Sequence, residues 1–228
     1  MAAACQRTRR PLKSVCLIAV TKGVPVDRIR EAMELGIAQL GENRVQEATE
    51  KYAVLDGEAP QVRWHMIGHL QRNKAKRAVE IFDAVHSVDS AALAQELEHQ
   101  IAHREQKAAA APLEIFIQVN VSGEATKSGC TPGAVPELAG LVLQQPHLSL
   151  KGLMTMAPFA ENPEEARPHF RRLRHLRDEL QRSFDSSLVT RHSPLLLSMG
   201  MSADFEVAIE EGADYVRIGT AIFGEENR

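Results

Sequence analysis

Lys22 comes directly after the apolar run Val15-Cys16-Leu17-Ile18-Ala19-Val20 and Thr21. An ammonium at the end of a buried strand is expected to be partly desolvated. Burial of that kind lowers its pKa and raises the fraction of free amine able to attack a carbonyl carbon. A lysine that reaches solvent, or pairs with Glu42, is the alternative reading. A second suggestive stretch is Ser198-Met199-Gly200-Met201-Ser202, which leads into a helix whose first turn holds Asp204. Small residues, a glycine and two hydroxyls ahead of a helix suit a phosphate group, because backbone N–H groups and the helix dipole favour an anion there. Asp204 would oppose that anion if it faced it, so it is expected to point away. Gly219 and Thr220 add close-approach backbone and another hydroxyl.

What could bring these residues together is a repeated unit. Short apolar runs at 15–20, 38–43, 63–68, 84–88, 113–120, 150–156, 195–198 and 215–219 read as strands, and helix-period segments separate them. Runs without polar alternation are what strands buried on both faces require. Phe170, Leu173, Leu176, Leu180 and Phe184 form the clearest apolar helix stripe. Eight strand–helix units of roughly 28 residues each match the spacing of an eightfold α/β barrel, the single (β/α)8 TIM-type fold. A doubly wound open sheet is the competitor. It often carries a glycine-rich phosphate loop after its first strand, whereas here that strand runs into Thr-Lys-Gly-Val-Pro. The expected organisation is a disordered tail at 1–14, a barrel at 15–224 and a tail at 225–228.

In such a barrel the chemistry sits where strands end. Those positions hold Lys22; Glu42 and Asn43; His65 and His69; Asn120; Met154 and Met156; Ser198 to Ser202; and Arg217 to Thr220. An amine on strand 1 facing a phosphate cup after strands 7 and 8 describes a site for an aldehyde-bearing phosphate ester. Pyridoxal phosphate and the sugar phosphate of a Schiff-base aldolase both fit that description.

Composition narrows the field. The 228 residues carry 27 Lys+Arg against 30 Asp+Glu, a net charge of −3, so no global field draws nucleic acid or an anionic membrane. The longest apolar run falls far short of a membrane span. Cys5, Cys16 and Cys130 have spacings that fit neither a disulfide framework nor a metal site, which points to a reducing compartment, the cytoplasm. His65 and His69 lack the glutamate of a zinc helix. The basic residues at 72–77 and 171–182 lie on helices with an apolar opposite face and read as solvated surface. Met154, Met156, Met199 and Met201 read as packing against the site or the core. Without a large exposed apolar stripe, a monomer is expected.

Seven blocks resemble, in order, the pyridoxal phosphate homeostasis protein family. They are Ala19-Val-Thr-Lys22, Gly41-Glu-Asn-Arg-Val-Gln-Glu47, Trp64-His-Met-Ile-Gly-His-Leu-Gln-Arg-Asn-Lys74, Gln118-Val-Asn-Val121, Gly152-Leu-Met-Thr-Met156, Ser198-Met-Gly-Met-Ser-Ala-Asp-Phe205 and Val216-Arg-Ile-Gly-Thr-Ala-Ile-Phe-Gly224. The resemblance implies a barrel like that of alanine racemase, without the racemase's second β-rich domain. It implies Lys22 as the Schiff-base lysine for pyridoxal phosphate, and Ser202, Gly219 and Thr220 with backbone near Met201 at the phosphate. Asn43, His65, Asn120 and Met154 would lie around the ring, and Ser198, Met199 and Gly200 in the same loop. Arg217 would face the pyridine nitrogen. An arginine cannot accept a proton, so it would keep that nitrogen unprotonated and weaken the ring as an electron sink.

The implied role is to hold the cofactor and hand it to apo-enzymes through transient contacts, with release past the mobile loop 122–129. No reaction is implied. The only tyrosines, Tyr52 and Tyr215, fall in a helix and at a strand start, so the second base of a racemase is missing. A weak racemase-like enzyme and a cofactor-free aldolase or isomerase are the alternatives. Family members commonly begin with a helix before strand 1, whereas only 14 residues precede it here, a departure that concerns how the barrel's lower end is covered and not the site.

Overall fold

A computed structural model describes residues 1–55, 57–58, 62–103, 111–124, 126–185 and 194–224. Its eight strands are β1 (Cys16–Val20), β2 (Gln39–Glu42), β3 (Arg63–Met66), β4 (Ala84–Val88), β5 (Leu113–Gln118), β6 (Leu148–Met154), β7 (Leu196–Ser198) and β8 (Tyr215–Ile218). They form one closed barrel in chain order, every pair parallel, with β8 returning to β1. The helices are α1 (Ala2–Arg7), α2 (Val26–Glu34), α3 (Val45–Leu55), α4 (Ala75–Ile81), α5 (Ala91–Ala102), α6 (Val135–Leu143), α7 (Arg167–Asp185), α8 (Phe205–Glu210) and α9 (Thr220–Phe223). The eightfold alternation expected from the apolar runs is therefore the architecture. Each short run forms a strand covered by helix outside and side chains inside, which is why β4 is buried at all five positions.

Closure requires strands to approach where side chains leave no room. Gly152 pairs in register with Phe116 on one side and Leu196 on the other. A Cβ there would sit 1.9 Å from the Leu196 carbonyl oxygen, so only glycine lets β6 meet β7. Space inside the barrel goes instead to rings. His86 stacks on Phe116 with centroids 4.1 Å apart, and Tyr215 meets both edge-on.

Two expectations need correction. Residues 1–14 are not a free tail: α1 docks against α8 with Ala4 and Cys5 buried. Arg7 pairs with Glu206 and Glu210, and Arg10 donates to the Ala213 carbonyl and to Asp214. Six residues are too few to show a helical period, and their helix is stabilised by tertiary contact rather than propensity. The arginines of α7 are also more than a solvated face. Arg167, Arg171 and Arg174 converge on the buried carboxylate of Glu211, and Arg172 and Arg177 donate to the carbonyls of Val121 and Leu195. The helix period shows which face points outward, but a long arginine can still bend back to an inner partner. The tail expected at 225–228 lies outside the described residues.

Gly152→Ala is expected to lose about 3 kcal/mol of stability, because backbone rather than a movable side chain blocks the new methyl. A urea midpoint unchanged from wild type would show that β6 and β7 can part.

Candidate cofactor site at the strand ends

β1 ends at Val20, and Thr21-Lys22-Gly23 turns outward at the rim. Lys22 is solvent-exposed, not desolvated as expected, because it stands two residues beyond the last strand position. Its backbone, in contrast, is gripped on both sides. The buried ammonium of Lys51 on α3 donates to the Thr21 carbonyl, to Glu42 Oε1 at 2.7 Å and to Glu47 Oε1 at 2.6 Å. Thr21 Oγ1 donates to Glu42 at 2.6 Å, and the Gly23 N–H donates to Glu47 at 2.6 Å. Glu42 Oε2 is buried with no partner among the described residues. Burial pushes the Glu42 carboxyl up against the opposing pull of Lys51 and Thr21, while for Glu47 the bonds to Lys51 and Gly23 outweigh burial and hold it down.

The residues expected to form a phosphate cup lie beside that turn. β8 runs in register with β1, Ile18 against Arg217 and Ala19 against Ile218. The next residue, Gly219, therefore abuts Val20, and a Cβ on it would lie 3.3 Å from the Val20 carbonyl oxygen. The Arg217 N–H donates to the Gly200 carbonyl, which draws the loop after β7 to the same rim. There the Gly219 N–H donates to Ser202 Oγ at 3.3 Å, with Thr220 exposed alongside. Asp204 does not turn away from the loop as expected: its carboxylate accepts from the Met201 N–H at 2.6 Å and so occupies one of the loop's backbone donors. Ser202, Gly219, Thr220 and Lys22 thus share one edge of the barrel mouth, above Arg217.

Arg217 is buried inside the barrel. Its Nη1 donates to Ser198 Oγ at 2.7 Å and its Nη2 to the Thr155 carbonyl at 2.8 Å. Burial pulls its pKa down to about 10, opposed by Asp204, so it stays a cation at neutral pH. Two of its five N–H donors have protein acceptors among the described residues, which leaves donors for an acceptor on a ligand.

Other expected site residues have different neighbours. Ser198 bonds Arg217 and His86, not a loop anion. His65 lies deep in the barrel between His86 and Gln39, whereas His69 is exposed 3.7 Å from Asp89, so the two do not converge. Asn120 organises its own loop: Nδ2 donates to the Glu124 and Lys127 carbonyls, and Oδ1 accepts from Ser122 Oγ and Gly123 N. The loop read as mobile is held by these bonds and by a bridge between Val119 and Cys130; residue 125 lies outside the described residues. Asn43 is half-buried with its backbone against Gly68. Met154 and Met199 are buried, Gly200 takes a positive φ of 94°, and Met201 is exposed. Burial pushes the Cys16 and Cys130 thiols up to about 11, far from thiolate reactivity.

Sequence reasoning missed Lys51, His86 and Thr155. The spacing of Glu47 and Lys51 is an ordinary helix pair, and nothing in it shows that the lysine is buried. His86 was the more legible, a polar ring beside Ser87 in a stretch whose other residues, Ala84, Val85 and Val88, are apolar.

The family described as alanine racemase, N-terminal domain, matches residues 1–227. The pyridoxal phosphate homeostasis protein of Aquifex aeolicus is 44% identical over 222 residues, covering 97% of this chain and 92% of the relative. That of Pseudomonas aeruginosa is 45% identical over 222 residues, with 97% and 89% covered. The chain belongs to the pyridoxal phosphate homeostasis protein family. PipY of Synechococcus elongatus PCC7942, solved with PLP bound, superposes with a TM-score of 0.81 at 37% identity, covering 97% of this chain and 98% of that one. An alanine racemase of Clostridium difficile, at 13% identity and a TM-score of 0.71, shares the fold over 56% of its length. Among the described residues no helix is long and apolar enough to cross a membrane, and no cluster of three or more His, Cys, Asp or Glu could hold a metal.

Lys51→Met should cost about 3–5 kcal/mol at neutral pH, because the buried Glu42 carboxylate loses its cation. A carboxyl whose folded pKa is raised destabilises the fold as pH rises above its unfolded value. The deficit should therefore shrink as pH falls and Glu42 takes up a proton. Urea titrations at pH 5 and pH 8 giving equal deficits would contradict this.

Proposed function

We propose that this protein binds pyridoxal 5′-phosphate, holds it reversibly through Lys22 and releases it to other proteins, buffering the free cofactor. The observation that carries this reading is the shared rim, where the Ser202–Gly219 edge abuts Val20 two residues before Lys22 and Arg217 lies two residues below Gly219. The chemistry of the donor set fits the group. The Ser202 and Thr220 hydroxyls can donate to phosphate oxygens, and the absence of a side chain at Gly219 leaves the backbone accessible. The cation of Arg217 can donate to a ring nitrogen but cannot take a proton from it. When bound, the cofactor supplies an aldehyde that condenses with a primary amine and releases water.

The chain's own residues then divide the work. The Lys51, Glu42 and Glu47 grip fixes the Thr21–Gly23 backbone, so Lys22 needs to order only its own side chain. Exposure of Lys22 leaves the link open to attack by water or by a second amine, as release requires. Asn120 braces the neighbouring loop. Tyr215 is packed among His65, His86 and Phe116 with its phenol pushed up to about 12 by burial, a poor position for a second base. Transient contact with apo-enzymes, a monomeric state and a cytoplasmic setting complete the proposal.

Purified protein incubated with pyridoxal 5′-phosphate should absorb in the yellow-protein region. Borohydride should abolish the band and leave the mass label on the peptide containing Lys22. A protein that stays colourless overturns the reading in favour of cofactor-free chemistry, and amino-acid-dependent exchange of an α-proton in deuterated water would favour a weak enzyme. Ser202→Ala should weaken binding about tenfold, the loss of roughly one hydrogen bond to a charged group. Equal affinity by fluorescence titration would move the phosphate elsewhere.

A further inference from the structure

Behind Arg217 lies a row of polar side chains that holding a cofactor does not by itself require. Arg217 Nη1 donates to Ser198 Oγ at 2.7 Å. Ser198 Oγ lies 2.9 Å from His86 Nδ1, His86 Nε2 lies 3.0 Å from His65 Nδ1, and His65 Nε2 lies 2.7 Å from Gln39 Oε1. The row passes from β8 and β7 across the interior to β4, β3 and β2, and Ser198, His86 and His65 are fully buried.

Elementary hydrogen-bond accounting gives the row one direction. A guanidinium has no lone pair to offer, so Ser198 must accept from Arg217. Its own proton then has one acceptor among the described residues, His86 Nδ1. An imidazole that accepts at Nδ1 and is neutral carries its proton at Nε2, so His86 donates to His65 Nδ1. By the same step His65 donates from Nε2 to Gln39 Oε1. Neutrality is what the surroundings impose: burial, with Arg63 and Arg217 nearby, pushes His65 down to about 3 and His86 well below its ordinary value. The Arg217 end therefore sets the tautomer of both rings, and the Gln39 carbonyl oxygen is the terminal acceptor. Every dipole in the row turns its acceptor end towards Arg217.

We infer that His86, with His65 and Gln39 behind it, is a positioning residue for Arg217: the directed row holds the Ser198 lone pair on Nη1 and so fixes the guanidinium plane that a pyridine nitrogen would meet. This rests on the reading of Arg217 as the ring-nitrogen partner. Thr155, held by Thr155 Oγ1 to the Val119 carbonyl at 2.8 Å and by its N–H to the Ser198 carbonyl at 3.1 Å, fixes the second corner through its own carbonyl. Two anchored corners leave the guanidinium little freedom to rotate. Without the row, Ser198 can turn its hydroxyl elsewhere and one corner loosens.

The experiment compares binding of pyridoxal 5′-phosphate with that of its 1-deaza analogue, in which C–H replaces the ring nitrogen. Wild type should prefer the natural compound about tenfold or more. In His86→Phe, which keeps the stack on Phe116, the preference should fall to about twofold. His86→Asn, whose Oδ1 can accept from Ser198, should recover most of it. Should His86→Phe fail to fold, Ser198→Ala carries the same expectation. A folded His86→Phe that weakens both compounds equally and keeps their ratio overturns the inference and leaves the cofactor reading standing. If wild type binds both without preference, Arg217 does not meet the ring nitrogen and the inference falls with that assignment. Independently of any ligand, ¹⁵N NMR at pH 7 should find His65 and His86 as neutral Nε2–H tautomers, assigned by the variants; an Nδ1–H or charged His86 overturns the proposal.

Discussion

A guanidinium enclosed in a barrel cannot be solvated by water, so the protein has to supply its acceptors and keep competing cations away. Arg217 places that demand on four strands and on the segment that follows a fifth. β7 provides Ser198, the segment after β6 provides Thr155, and β4, β3 and β2 provide the side chains that keep Ser198 facing the right way. Closing the barrel makes this possible, because β4 and β7 are not neighbours in the sheet and meet only across its interior. The same closure makes Gly152 unavoidable and fills the remaining space with Phe116 and Tyr215. The interior is therefore a polar axis within an aromatic cluster rather than the aliphatic layers common in barrels.

At the mouth the division of labour is reversed. Lys22 has an exposed side chain and a tightly held backbone, with Lys51 shared between two carboxylates and a carbonyl beneath it. In the proposed role that combination would serve reversible attachment, because a fixed backbone lowers the ordering needed and an exposed side chain stays accessible for release.

The eightfold repeat was legible because strands buried on both faces must be apolar without interruption, and Val15 to Val20 or Leu195 to Leu197 allow little else. Lys22, Ser202, Gly219 and Thr220 were legible because residues at strand ends share one edge of any barrel. The end of an apolar run places Asn120 at the end of strand 5, but its four bonds to its own loop depend on how that loop folds back, which no spacing specifies. The helical N-terminus was hidden for a related reason: Ala4 and Cys5 become helical by docking on α8, some 200 residues further along the chain.

What the sequence alone determined is the order of apolar segments, their eightfold repetition and the residues that stand at their ends, all of which follow from local periodicity. Tertiary structure alone decided which polar groups meet inside. Whether His86 faces Ser198, whether Lys51 is buried and whether His65 belongs to the rim or the interior depend on register and closure. Those are set by the packing of all eight strands together, and a residue's neighbours in the chain carry no record of the partner it meets across the barrel.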